Sequence, residues 1–196
     1  MSDRERLEVV AHELRSPVAA LAALAGALPS VPAKDRERVL RLAVAAGRDI
    51  ERICADADLV SLRREPVALG PLVAGFASDR VVVSVDGDTS VVGDPTRLRQ
   101  ALGNLVGNGL RHGSSVAIDV RQRDGSVVLD VTDDGPGVEL GLDPFARGSS
   151  ATGSTGIGLW LARRIAEAHG GSLDLVEDDR AGARFRLALP SASAAR

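Results

Sequence analysis

"GDPTRLRQALGNLVGNGLRHG", residues 93–113, reads as a helix burdened with more than packing. Asp94 suits the N-cap, Pro95 the first helical position and Gly113 the site just past the end. Inside stand Gly103, Gly107 and Gly109, each costing up to about 1 kcal/mol against alanine. Between them Asn104 and Asn108 lie one turn apart on one face. Close packing on a sheet explains the glycines but not two asparagines at that spacing. Neutral amide oxygens facing a cleft can ligate Mg2+ while it keeps waters and phosphate oxygens.

Outward from this helix, valine runs and Asp-Gly turns predict a short strand at 67–69, a short helix from Pro71, and strands at 81–85 and 91–92 joined by "DGD". Strands at 115–121 and 127–132 flank "RDG", a helix over 157–169 ends at Gly170 and Gly171, and strands at 173–176 and 184–189 follow. The expected fold is α+β, a mixed sheet covered by helices on one face. Two glycine clusters come after the asparagine helix: "DDGPG", 133–137, and "GSTGIGL", 153–159. The second runs into a helix, so its backbone N–H groups suit phosphates at a positive helix end. Trp160 is expected in the core, His169 as a helix-end cation, and the tail "SASAAR", 191–196, as disordered.

Before "RREPVALG" the pattern is different, and the expected units are 1–65, 66–190 and the tail, with the segment 62–67 as a hinge. Leu7, Leu14, Leu21 and Leu28 recur every seven residues, with Val10, Pro17 and Leu24 three after the first three. Val39, Ala43, Ala46, Ile50, Ile53, Ala57 and Val60 repeat the seam, and "PSVPA", 29–33, separates the two. This predicts an antiparallel helical hairpin. A lone hairpin leaves apolar surface exposed, so a homodimer forming a four-helix bundle is expected, the alternative being packing on the rest of the same chain. His12 falls on the outward face, where a nucleophile for a large substrate must stand. Glu13 can accept one ring proton, and Ser16, one turn on, can hold a water beside it.

The 196 residues carry a net charge of −3 and are 44% hydrophobic, enough for one or two domains. Basic residues are nearly all arginine, interspersed with acids, and form no stripe for nucleic acid. Cys54, the one cysteine, is expected as a small packing residue, and no apolar run has membrane-spanning length. A cytoplasmic location is expected.

The motifs together resemble the catalytic core of a sensor histidine kinase over almost the full chain. "HELRSP" (12–17) is similar to the phosphoacceptor box, "NLVGN" (104–108) to the asparagine box, "DDGPG" and "GSTGIGL" to the two glycine boxes, and "DPFARG" (143–148) to the phenylalanine box. The resemblance implies a dimerisation and phosphotransfer hairpin followed by a Bergerat-type ATP-binding α/β sandwich. It implies that His12 is phosphorylated, with Glu13 as base and Ser16 placing water. Asn108, with Asn104 nearby, would hold Mg2+, and Arg111 and His112 would lie near the phosphates of ATP. Asp133 would read the adenine amino group, Gly135 and Gly137 would shape the pocket, and Gly153, Thr155, Gly156 and Gly158 would line the lid. The implied partners are a second copy, a response regulator, and a sensor that is separate from this chain or missing from it.

Departures from the family pattern bear on activity. Asn104 stands where ATP-hydrolysing relatives carry a glutamate, and an amide cannot take a proton, which favours transfer to a protein nucleophile. Ala11 and Ser16 replace the usual hydroxyl residue and the usual threonine or asparagine, and Gly109 replaces alanine. Ala183 removes a hydroxyl that usually supports Asp133, and the lid from Arg147 to Gly153 is short. Two other readings stay open: a histidine phosphotransferase that relays phosphate without ATP, and a dimeric scaffold with a nucleotide pocket that only stabilises it.

Overall fold

The computed structural model describes residues 3–59, 62–139, 141–146, 158–177 and 181–195. The chain divides into two compact units, Met1–Ser61 and Leu62–Arg196, so the break precedes Pro66, where the sequence changes character.

The first unit is a pair of helices, α1 (Asp3–Ala27) and α2 (Arg36–Leu59), joined by 3-10 turns at Leu28–Ser30 and Ala33–Asp35. Pro29 and Pro32 end regular helix there because proline cannot continue the hydrogen-bond ladder. Val10, Leu14, Pro17, Leu21 and Leu24 of α1 are half-buried, as are Val39, Ala43 and Ile50 of α2, while Ala46 and Ile53 are fully buried. Leu28 leaves the seam: it sits in the turn, 38% exposed. The side chains of Leu7, Ala57 and Val60 lie outside the described residues. Cys54 is exposed, because it directly follows buried Ile53 and so points away from the seam. Val18, Leu40, Leu42 and Val44 are also exposed.

The second unit begins with β1 (Glu65–Ala68) and α3 (Leu69–Ala74), followed by β2 (Val81–Asp86) and β3 (Ser90–Gly93). Next come α4 (Pro95–His112), β4 (Val116–Arg123), β5 (Ser126–Asp133), α5 (Gly158–Ala168), β6 (Ser172–Leu175) and β7 (Arg184–Pro190). The main sheet has the order β2-β4-β5-β7-β6, with β2 and β4 parallel and the other pairs antiparallel, while β1 and β3 form a separate antiparallel ribbon. Alternation in β4 and β7 places Val116, Ile118 and Val120, then Phe185, Leu187 and Leu189 in the core, while central β5 is buried on both faces, Val127, Leu129 and Val131 on one and Val128 and Asp130 on the other. The amphipathic helices α4 and α5 add Leu98, Leu102, Leu105, Ala162, Ile165 and Ala166 to that core.

Asp94 caps α4 as its residue type requires, with Oδ1 accepting the N–H of Thr96 (2.9 Å) and Arg97 (3.1 Å). Its Oδ2 accepts the N–H of Arg63 (3.1 Å), and the Arg64 guanidinium donates to the carbonyl of Ala168 (2.8 Å). Burial opposes charge on Asp94, but the N–H groups of Arg97, Arg63 and Thr96 outweigh it and hold its pKa below the ordinary value. Arg63 and Arg64 are thus bonded into the second unit, and Glu65–Ala68 is strand, so most of the segment 62–67, expected as a hinge, is held within that unit.

His169 is not a helix-end cation. It is 4% exposed; its Nδ1–H donates to the carbonyl of Ile165 (2.7 Å) and its Nε2 accepts the N–H of Asp94 (2.9 Å). A ring nitrogen that accepts must be unprotonated. Burial first, and then nearby Arg64, press its pKa below the ordinary 6.5. Because the folded state then binds fewer protons than the unfolded chain, this contribution to stability is complete above pH 6.5 and is lost as pH falls below it. Denaturant titrations from pH 7.5 to 5 should show a decline that is smaller in His169→Gln.

The start of the tail is bonded to the rest of the unit. Ser191 is buried, its N–H donates to Gly125 (3.0 Å), and it bridges to Val91 before a 3-10 turn at Ala192–Ala195. Its small side chains let the backbone pass close over the β4–β5 turn. Trp160, expected in the core, is half-buried.

Candidate nucleotide site and phosphoacceptor

In the first unit His12, Glu13 and Ser16 are all exposed on α1. The outward placement follows from the seam, since Val10 and Leu14 turn inward on either side of His12. Neighbouring helical side chains diverge by about 100°. Accordingly, no hydrogen bond joins His12 to Glu13 among the described residues, and Ser16, one turn on along the same face, is not bonded to His12 either.

In the second unit the chemistry collects where α4, the end of β5 and the start of β7 meet. Asp133 is buried, and its Oδ1 accepts two backbone N–H groups, from Gly135 (2.9 Å) and Ala183 (3.1 Å). Its own N–H donates to the carbonyl of Ala183 (3.0 Å). Among the described residues Oδ2 has no partner. It faces Gly109, where a Cβ would come within 3.7 Å of it, 3.2 Å of the Asp133 Cβ and 2.7 Å of Val116 Cγ2. Gly109 therefore lets α4 close on Val116 and the Asp133 Cβ, and of the three helix glycines it alone is tightly packed. Gly103 has one ordinary contact, and nothing approaches the Cβ position of Gly107.

The missing hydroxyl at Ala183 does not strip Asp133 of support, because the main-chain N–H of Ala183 supplies a bond. That approach requires Gly182, whose φ is +92 and whose Cβ would run into the carbonyl oxygen of Asp133. Gly137, at φ +81, faces the carbonyl of Gly182. A Cβ on Gly135 would come 2.8 Å from the carbonyl oxygen of His112.

Asn104 and Asn108 are both half-buried on α4. The Nδ2 of Asn104 is buried without a hydrogen-bond partner, and its amide carbon lies 3.6 Å from the Cβ position of Gly158, which opens α5. Arg111 and His112 are exposed in the last turn of α4. Gly153, Thr155 and Gly156, and the lid from Arg147, lie outside the described residues. The phenylalanine motif is anchored: Phe145 is buried edge-to-face on Phe185 (centroids 5.9 Å apart), with the Arg163 guanidinium 4.9 Å from its ring centroid.

These groups fit the ligands that the sequence implied. An open carboxylate acceptor beside a side-chain-free helix position suits an exocyclic amine. Amide oxygens suit a magnesium ion that keeps phosphate and water ligands. A separate hollow of about 340 Å³ lies on the other face of the sheet, lined by Ala117, Asp119, Arg121, Asp130, Thr132 and Arg184. Its buried carboxylate, Asp130, is already paired with Arg186 (2.7 and 2.9 Å) and Arg121 (2.8 Å), which leaves it no free acceptor for chemistry.

Sequence reasoning passed over Asp134, Arg80 and the pair Ser114–Ser115, which surround the turn after α4. The doubled acid of "DDG" and two small hydroxyl residues after a helix end were the available signals; for Arg80 there was none.

Residues 93–193, just over half of the chain, match the family described as "Histidine kinase-, DNA gyrase B-, and HSP90-like ATPase". The chain is 32% identical over 221 residues to the sensor-like histidine kinase SenX3 of Mycobacterium tuberculosis, covering 96% of this chain and 54% of that protein. It is 31% identical over 218 residues to the sensor-type histidine kinase PrrB of the same organism, covering 98% of this chain and 49% of that protein. It thus spans about half the length of these curated relatives. Among solved structures, full-length ShkA in complex with AMPPNP is similar in fold (TM-score 0.62, 23% identity), over 97% of this chain and 46% of that one. The ATP-binding domain of PrrB matches 65% of this chain and 97% of its own, with a TM-score of 0.53 at 27% identity.

Proposed function

This chain belongs to the histidine kinase-, DNA gyrase B- and HSP90-like ATPases and is built as a histidine kinase catalytic core; from that premise we propose that it is an autokinase that phosphorylates His12 from ATP. The observation that carries this reading is Asp133, with Oδ1 saturated by two backbone N–H groups and Oδ2 open before Gly109. That arrangement holds an acceptor oxygen at fixed geometry, where it takes the adenine amino group.

Arg111 and His112 stand on the phosphate side, and the buried Nδ2 of Asn104 is a donor that a phosphate or water oxygen satisfies. Asn108, with Asn104 nearby, would hold Mg2+, which would offset the charge on the phosphates. A ring nitrogen of His12 attacks the γ-phosphorus in line. The N–P bond forms as the bond to the β–γ bridging oxygen breaks, leaving ADP, while Glu13 takes the proton from the imidazole. Ser16 holds water on the same face. By the resemblance, Gly153, Thr155, Gly156 and Gly158 would line the lid and phosphate side, with Gly135 and Gly137 shaping the base pocket. The phosphoryl group then passes to an aspartate of a response regulator docked over His12. A second copy covers exposed apolar side chains of the hairpin such as Val18 of α1 and Leu40 and Val44, one turn apart on α2, in a four-helix bundle. No helix among the described residues is long and apolar enough to cross a membrane, and we place the reaction in the cytoplasm, where ATP is at hand.

The phosphotransferase alternative drew on Ala183, and the Ala183 N–H bond to Asp133 weakens that support. Purified protein incubated with Mg2+ and γ-labelled ATP should take up label that is acid-labile and alkali-stable, and His12→Gln should take up none. Label that persists in His12→Gln removes His12 from the reaction. No label in the wild type, with phosphate still accepted from a phosphorylated regulator, turns the assignment to the relay.

A further inference from the structure

The turn between α4 and β4, residues 113–115, is gripped from both sides. On one side is Asp134. Its Oδ1 accepts the N–H of Ser114 (2.7 Å) and Ser115 (2.9 Å), and its Oδ2 accepts the hydroxyls of Ser114 (2.7 Å) and Ser115 (2.9 Å). Four donors on one carboxylate, with the Ser114 hydroxyl foremost, hold its pKa far below the ordinary range, so the group stays ionised. On the other side is Arg80, which donates through Nε to the carbonyl of Ser114 (2.7 Å) and through one terminal nitrogen to those of Gly113 (2.9 Å) and Leu110 (3.2 Å).

The end of α4 needs this help. A helix leaves its last carbonyls without partners, and a left-handed glycine is the usual remedy. Gly113 is extended instead, at φ −119 and ψ 173, so the Arg80 guanidinium does that work. Gly113 is small for another reason: a Cβ there would run into Asp134 Oδ1 and come 3.1 Å from the N of Gly135.

The turn is also where parts of the nucleotide site meet. Arg111 and His112 lie immediately before it, and Asp133 and Gly135 flank Asp134. Resting on the ATP-binding reading above, we propose that Asp134 and Arg80 are positioning residues of the nucleotide site: a two-sided clasp that fixes the last turn of α4 against the strand end carrying Asp133. Neither needs to touch ATP. Without the clasp the last turn of α4 and the Asp133 carboxylate separate, and one ligand no longer meets both.

The test uses the full chain and MgATP, measuring affinity by calorimetry well below each variant's melting temperature and KM against kcat in autophosphorylation. Asp134→Ala should weaken ATP binding about tenfold, and Arg80→Ala about fivefold, as loss of several polar bonds would do. Asp134→Asn keeps an oxygen for the two backbone N–H groups and should stay within about threefold of wild type. KM should rise, with kcat at saturating ATP nearly unchanged. If Asp134→Ala does not fold, Ser114→Ala with Ser115→Ala removes only the hydroxyl donors and should cost about threefold in affinity. Variants that melt earlier yet bind ATP like the wild type overturn the clasp alone. A wild type that does not bind ATP overturns the nucleotide reading and the clasp with it.

Discussion

Asp133→Asn should fold normally and lose ATP. Asparagine keeps a carbonyl oxygen where Oδ1 now accepts from Gly135 and Ala183, so the crossing of the two strand ends is retained. At the other position it replaces an acceptor with an amino group. That group and the adenine amine are both donors, so a charge-assisted bond is exchanged for two unsatisfied donors in a buried place. Sites built to pair one polar group discriminate strongly when it is mismatched, and a loss of about a hundredfold or more in affinity is expected. Calorimetric titration with MgATP, beside a melting curve of the free protein, separates binding from folding. Affinity within about threefold of wild type, with the melting temperature unchanged, would take Asp133 out of base recognition.

The second large effect falls on stability. Gly182→Ala should cost about 3 kcal/mol or more, because two penalties coincide. The position has φ +92, which L residues rarely adopt, and the added methyl would run into the carbonyl oxygen of Asp133. Moving either chain breaks the paired bonds between Asp133 and Ala183, leaving buried backbone groups unsatisfied. A fall of about 10 °C in the melting temperature is expected. Gly107→Ala is the matched control: it lies mid-helix with nothing within 4 Å of its Cβ position, and should melt no lower than wild type. Equal melting of Gly182→Ala and wild type would show that the crossing relaxes freely.

Much of the fold was legible because it rests on period and punctuation. The helix from Pro95 to His112 has the Asp94 cap that its residues announce, and the strands β4 and β7 alternate as their valines and leucines require. The proline-rich break between the two N-terminal helices falls where expected. Misreadings arose where a side chain's role depends on a distant partner. His169 looked like a cation because it closes a helix, but Asp94, 75 positions away, presents an N–H that only a neutral ring can accept. The serine and alanine tail looked free, yet Ser191 pairs with backbone at Gly125 and Val91. Gly113 looked like a left-handed cap and is extended, its smallness serving Asp134 instead.

The sequence by itself determined which segments are helix or strand, which faces are apolar, and which residue types stand at the proposed chemistry: His12 outward, two asparagines a turn apart, an aspartate before glycines. Those are local properties, set by a few neighbouring residues and by burial on one side or the other. Only the tertiary structure decided that Ala183 and Gly135 bond one oxygen of Asp133, and that Gly109 lets α4 approach the strand end that carries it. Only it joined Asp134 and Arg80 across the end of α4. Such pairings depend on which strand ends cross and how closely, and a hydrogen bond made at 3 Å between residues far apart in the chain leaves no periodic trace in either segment.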